Sequence, residues 1–281
     1  MYPILHSQEL APNVHLFRIA AARVAAKAQA GQFVIVRVSE KGERIPLTIA
    51  DWDEKEGSIT IVFMTVGTTT HRLARLKAGD SIASFVGPLG LPSENKKFGT
   101  VVCVSGGYAV APIMPIARAM KKAGNRVISI VGARTRELLF WMDKVAAVSD
   151  RLIVTTDDGS YGRKGLVTEP LKELLEGAEK IDRVIAIGPS IMMKFCAKTT
   201  EPFGVKTVVS LNPIMVDGTG MCGCCRVPIG GVTKFACVDG PEFDGHQVDW
   251  ALLMARQKTY LDEEKHSFEH WRHQHGAGCG S

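Results

Sequence analysis

From residue 1 to about 97, apolar residues recur at every second position over short stretches, as at Ile59, Ile61 and Phe63, with glycine and proline between the stretches. Short period-two runs separated by turn residues predict a small antiparallel barrel. From residue 98 the period changes. VVCVSGG is a continuous apolar run ending in glycines, PIARAMKKAG has helical spacing that stops at Gly124, and RVISIVGA, RLIVTTDD and DRVIAIGP are further apolar runs. Strands apolar on both faces that alternate with helices predict a doubly wound parallel sheet. From about 206 the chain opens with the strand-like VKTVVSL and then becomes rich in glycine and cysteine. The pattern thus divides the chain into 1–97, 98–205 and 206–281, with no internal repeat and a last ten residues that read as disordered.

Composition narrows the function classes. The 281 residues, 46% of them apolar, suffice for two ordinary cores and a small third module. The net charge of +5 is spread thinly and interleaved with acidic runs such as Asp51, Asp53, Glu54 and Glu56, which excludes the concentrated basic face of a nucleic-acid binder. The start, MYPILHSQEL, has no basic region followed by an apolar one, and no apolar run approaches the roughly 20 residues that span a bilayer. The expectation is a soluble, cytoplasmic protein without a membrane partner. His246 and the tail histidines His266, His270, His273 and His275 read as surface residues, although His-rich tracts also bind metals.

Seven cysteines are few, and unevenly placed. Cys222, Cys224, Cys225 and Cys237 fall within sixteen positions, while Cys103, Cys196 and Cys279 are scattered. Clustering of this kind in a cytosolic chain points to metal binding. Asp217 is followed by Cys222 after four residues, Cys225 after two more and Cys237 after eleven. Plant-type 2Fe-2S loops space their first three thiolates with gaps of four and two, and here an aspartate holds the first place. Gly218, Gly220 and Gly223 let such a loop turn tightly. A structural zinc site, which also uses a CxxC pair with two further ligands, is the competing reading; the four-residue gap favours iron-sulfur. Cys224, between two candidate ligands, is expected to point away and pack as a small hydrophobe.

SLNPIMVDGTGMCGCCRV with FACVDGPEFDGHQVDW resembles the small subunit of the NADH-dependent reduced ferredoxin:NADP oxidoreductases. These are electron-bifurcating transhydrogenases, also called sulfide dehydrogenases, and are related to the electron-transfer subunit of NAD-dependent dihydroorotate dehydrogenase. The likeness runs over essentially the whole chain up to the tail. It implies a β barrel plus α/β architecture of the ferredoxin-reductase-like class, in which a FAD-binding barrel, a nucleotide-binding domain and a C-terminal 2Fe-2S loop follow in order. It also implies Asp217, Cys222, Cys225 and Cys237 as the cluster ligands, since the bifurcating group resembles this chain in using one Asp and three Cys. An oxygen donor is harder than thiolate and is expected to shift the cluster potential.

The same resemblance assigns the other cofactors. RIPLTIA, residues 44–50, matches the superfamily's flavin strand: Arg44 offers planar donors to a pyrophosphate, Pro46 fixes the turn, Leu47 continues the strand, and Thr48 carries a hydroxyl for the flavin ring edge. VGTTTHRL places Gly67, Thr69 and Thr70 at a helix start suited to the FAD pyrophosphate, with Thr69 where relatives have glycine. GPLG, residues 87–90, closes the barrel in relatives. Gly106 and Gly107, followed by Ala111 and Pro112, match the glycine-rich turn of the nucleotide domain, with Ser105 and Ala109 at positions where relatives carry glycine. Gly188 and Pro189 belong to the loop near the nicotinamide, after Ile187 where relatives often have cysteine. Arg134 and Arg136 follow the second strand, where readers of the ribose 2′-position sit; arginines there admit a 2′-phosphate, whereas the resemblance implies NAD(H).

The chain is therefore expected to pass electrons between NAD(H), FAD, a 2Fe-2S cluster and a larger iron-sulfur flavoprotein, in a heterodimer or higher complex, with the cofactors rather than a catalytic side chain carrying the chemistry. Two alternatives stand beside it. One is the electron-transfer subunit of dihydroorotate dehydrogenase; the other is a non-redox, zinc-bearing assembly protein on the same fold, motivated by Thr69, Ala109 and Ile187.

Overall fold

The computed structural model describes residues 1–275. Seven strands form the first sheet: β1 (Tyr2–Ala11), β2 (Val14–Ala20), β3 (Phe33–Arg37), β4 (Arg44–Asp53), β5 (Ser58–Met64), β6 (Ser81–Ile82) and β7 (Ser84–Leu89). Their order is β6-β1-β2-β5-β4-β3-β7, and every pairing is antiparallel. The two edge strands are consecutive in sequence and separated only by Ala83, so one run of chain borders both edges and nearly closes the barrel. Alternation along β2 and β5 sends Phe17, Ile19, Ile59, Ile61 and Phe63 inward, where they meet Ile4, Val34, Ile49 and Phe85. Each such side chain contributes about 1.5–3 kcal/mol by leaving water. The short helices α1 (Ala22–Ala25) and α2 (Thr68–Ala74) cap the barrel.

The second sheet takes β8 (Thr100–Gly106), β9 (Arg126–Ala133), β10 (Arg151–Thr156), β11 (Arg163–Lys164), β12 (Arg183–Ile187) and β13 (Thr207–Ser210), crossed over by α3 (Val110–Lys122), α4 (Met142–Ala147), α5 (Thr168–Glu176) and α6 (Ser190–Thr200). The order β11-β10-β9-β8-β12-β13 is parallel throughout, as the unbroken apolar runs predict. α3 packs on the barrel as well, with Val110, Ala111 and Met114 against Val14, Ala50 and Val62.

The remaining elements are the hairpin β14 (Arg226–Ile229) and β15 (Val232–Phe235), then β16 (Glu242–Asp244), α7 (Trp250–Arg256) and α8 (Leu261–His275). One boundary moves. The strand inside VKTVVSL, placed by its sequence in the third module, is the sixth parallel strand β13, and β16 adds antiparallel to it. An exposed edge strand invites pairing, and the C-terminal module fills that edge. The helix α8 also runs through residues 272–275, four of the ten terminal residues expected to be disordered; positions 276–281, with Cys279, lie outside the described residues. Among the described residues, no helix is long and apolar enough to cross a membrane.

Candidate functional site: a flavin strand, a nucleotide crevice and a cysteine loop

After β13 the chain loops over the barrel. Gly218, Gly220 and Gly223 take φ of +77°, +87° and +66°, a region that glycine enters without a Cβ clash. A Cβ on Gly218 would sit 2.7 Å from Ile35 Cγ1 and 2.8 Å from Leu89 Cδ1, so the loop lies directly on β3 and β7. Asp217 organises it: one carboxylate oxygen accepts the Thr219 N–H at 2.9 Å and the other accepts the Cys222 N–H at 2.9 Å. Cys225 and Cys237 are buried with their sulfurs 3.2 Å apart. Two of the thiols thus form a sulfur pair, while the Asp217 carboxylate is tied to the backbone of Cys222. Among the described residues, no three His, Cys, Asp or Glu side chains converge on a single-ion site. One carboxylate and three thiols on a glycine-hinged loop are donor types that would hold a 2Fe-2S cluster.

Local electrostatics separate the thiols. Backbone hydrogen bonds from Asp217, then Cys224, hold Cys222 below the ordinary thiol range, whereas burial first, and neighbouring Cys225 next, pushes Cys237 up to about 12. Cys224 is half-buried and lies beside the Cys222 thiol rather than turned into a core, so its expected role as an isolated buried hydrophobe is corrected. The loop's outer rim is apolar and open, with Met221 90% exposed and Val216 and Val238 also outside.

The flavin motif occupies β4. Arg44, Ile45, Pro46, Leu47 and Thr48 are all half-buried, in contrast to buried Ile49 and Ala50, which leaves this stretch of strand open to a ligand. Thr48 pairs with Phe33, Leu47 with Val34 and Pro46 with Ile35. Glu43, next to the motif, accepts a hydrogen bond from the Thr69 hydroxyl, tying β4 to the start of α2. Gly67 caps α2, and its backbone N–H and that of Val66 donate to the Thr70 hydroxyl at 3.1 and 2.9 Å. A Cβ on Gly67 would meet nothing within 4 Å, so a ligand has room to approach. The guanidinium of Arg44 reaches the cysteine loop: Nε donates to Val216 O at 2.9 Å and Nη2 to Asp217 O at 3.2 Å. GPLG ends β7, and Gly90, with φ of +76°, lies where a Cβ would touch both Phe33 and Pro241.

The residues expected to meet a nucleotide gather at the carboxyl ends of neighbouring strands. β8 and β12 are paired, with Ser105 opposite Ile187, and the sheet's order reverses between them, which makes their ends the usual ligand crevice of a doubly wound fold. Gly106, Gly107, Gly188 and Pro189 border it. Gly107 has φ of +61° with open space at its Cβ position. Ala111 and Pro112 instead lie buried in the first turn of α3, where small size allows the helix to approach the sheet. Arg134 and Arg136 are exposed after β9, Arg136 lying 5.7 Å from the Tyr161 ring.

Comparison with known proteins fits this geometry. Residues 212–249 match the family model of the iron-sulfur cluster binding domain of dihydroorotate dehydrogenase B. A Thermotoga maritima protein described as a dihydroorotate dehydrogenase B (NAD(+)) electron transfer subunit homolog is 50% identical, over 95% of this chain and 94% of its own length. The Clostridium perfringens electron transfer subunit of that enzyme is 30% identical over 80% of this chain and 89% of its own.

The chain belongs to the dihydroorotate dehydrogenase B electron-transfer subunit family.

A solved structure described by its authors as giving insights into flavin-based electron bifurcation in the NADH-dependent reduced ferredoxin-NADP oxidoreductase matches with a TM-score of 0.92 and 49% identity, over 96% of this chain and 98% of that one. Phthalate dioxygenase reductase, at 15% identity and a TM-score of 0.59, shares the fold alone.

Several positions of this family member were not legible from motifs. Met192 closes the floor of the crevice: a Cβ on Gly106 would be 2.6 Å from its sulfur and one on Gly188 2.9 Å from its methyl. Glu43 has no motif of its own, and only its position before Arg44 hinted at a role. His246 is half-buried rather than a surface residue, with Nε2 within 2.9 Å of Thr200 Oγ1 and 3.1 Å of Ala197 O. His266, His270 and His273 are exposed on α8, and the side chain of His275 lies outside the described residues.

Proposed function

We propose that this chain is the electron-transfer subunit of an electron-bifurcating NADH-dependent ferredoxin:NADP oxidoreductase, exchanging electrons between NAD(H) and a larger iron-sulfur flavoprotein. The observation that carries the reading is the seating of the loop with Asp217 and its three cysteines directly on the barrel strands beside the flavin motif. In this reading Asp217, Cys222, Cys225 and Cys237 hold a 2Fe-2S cluster, Arg44–Thr48 and Gly67–Thr70 border the FAD, and the crevice between Gly106 and Gly188 takes NAD(H). When bound, the flavin converts between two-electron hydride exchange with the nucleotide and single-electron exchange with the cluster.

The protein's own part is binding and placement. Gly107, with open space at its Cβ position, lets a nucleotide backbone come close to the strand ends. Thr48 presents a hydroxyl where strand β4 is open. The apolar rim of Met221, Val216 and Val238 is the face offered to the partner, since such a patch around a redox loop is otherwise costly in water. Support for the bifurcating branch over the dihydroorotate enzyme comes from Asp217 at the first ligand place and from the near-complete overlap with the bifurcating enzyme's structure. An anaerobic titration with NADH and NADPH, following flavin absorbance, tests the nucleotide assignment: NADH bleaches the flavin at lower concentration, and preferential bleaching by NADPH contradicts it.

A further inference from the structure

Arg44 stands where the barrel and the cysteine loop meet. Its side chain leaves the flavin strand and donates to the carbonyls of two consecutive loop residues, Val216 at 2.9 Å and Asp217 at 3.2 Å. A planar guanidinium presents several donors in a fixed fork and so holds two neighbouring acceptors at once, which an ammonium does as a single point. Both acceptors are uncharged, so the cation is not neutralised by them. The second carbonyl belongs to Asp217, whose carboxylate fastens the N–H groups of Thr219 and Cys222. One chain of contacts therefore runs from β4 through Arg44 and Asp217 to Cys222. The glycine at 218, pressed on Ile35 and Leu89, holds the other side of the same turn.

We infer that Arg44 is a positioning residue for the cluster loop: it straps the loop to the flavin strand and sets a fixed positive charge beside the cluster. The inference rests on the reading that this loop carries a 2Fe-2S cluster and this strand borders FAD. Two consequences follow from the geometry. The redox centres share one mount, so their spacing does not depend on the flexible part of the loop. A nearby cation also favours the reduced cluster, which carries one more negative charge, and so raises its midpoint potential.

The test uses the full chain purified anaerobically with its cofactors, as wild type, Arg44→Gln and Arg44→Lys. FAD and iron are quantified, the cluster is titrated potentiometrically, its EPR spectrum is recorded, and its loss to a chelator is timed. Arg44→Gln is expected to lower the cluster potential and shift its g values. Arg44→Lys, keeping the charge but losing the fork, is expected to hold the potential near wild type while losing its cluster several-fold faster. An unchanged cluster potential and spectrum in Arg44→Gln overturns the inference, whether FAD is retained or lost; loss of FAD alone makes Arg44 a pyrophosphate reader. If Arg44→Gln does not stay folded, Arg44→Lys decides, and cluster loss no faster than wild type overturns the inference. A wild-type sample lacking flavin, or holding zinc instead of iron, sinks the underlying reading instead and is recognised before any variant is compared.

Discussion

Cys103 and Cys196 are enclosed in the parallel-sheet core, and burial pushes both thiols up to about 12. A thiol in that state is almost wholly protonated at neutral pH and is a poor nucleophile. Cys222 is exposed and held low by backbone donors. In chain freed of metal, alkylation at neutral pH is expected to modify Cys222 well ahead of Cys103 and Cys196; mass spectrometry showing equal modification of all three contradicts the packing described. Asp217 and the loop cysteines stand out in the sequence by their spacing, because such spacing is a local property of the chain. Arg44 was legible only as a flavin-motif residue. Its partners lie 172 and 173 positions away, and no local pattern records a contact of that kind.

At the scale of elements, the antiparallel barrel and the parallel sheet followed from apolar periodicity, which burial enforces directly. The C-terminal helix did not. α8 is polar over most of its surface and touches the barrel through a narrow seam: Ser267 lies 3.0 Å from Thr68, Phe268 stacks on His71 at 4.7 Å, and Arg75 lies 4.7 Å from the Trp271 ring. Three seam positions in fifteen give too weak a helical stripe to stand out in a His-rich sequence. Burial above all, with His15 and Arg75 adding, holds His71 below its ordinary value. A histidine with a depressed folded pKa resists protonation, so the unfolded chain binds more protons as pH falls below about 6.5, and folding loses stability there. The thermal midpoint is expected to fall from pH 7 to about pH 5 more steeply in wild type than in His71→Gln. Equal slopes contradict this placement of α8.

At the scale of the whole molecule, the cysteine module adds to the direct contact that α3 makes between the parallel sheet and the barrel. β16 fills the edge of the parallel sheet, Leu91 N–H donates to Gly240 O at 2.6 Å, and Gly218 and Gly90 allow the loop and its neighbour to lie on the barrel. Three modules were visible in the sequence, but their mutual docking was not, because β13 reads as the start of one module and serves another. Gly218→Ala combines a left-handed φ with a Cβ at 2.7 Å from Ile35, and is expected to cost about 2 kcal/mol and to raise the rate of cluster loss. Wild-type stability and cluster retention in that variant contradict the docking.

In the proposed reading, one chain carries a nucleotide-reducible flavin and a 2Fe-2S cluster on a shared frame. Its most direct test is an anaerobic UV-visible and EPR measurement on the purified chain before and after NADH, with iron and zinc determined on the same sample. NADH is expected to bleach a flavin band and bring up a reduced 2Fe-2S signal at about two irons per chain. A colourless chain with zinc in the loop and no NADH-dependent change contradicts it, and leaves a redox fold put to a non-redox use.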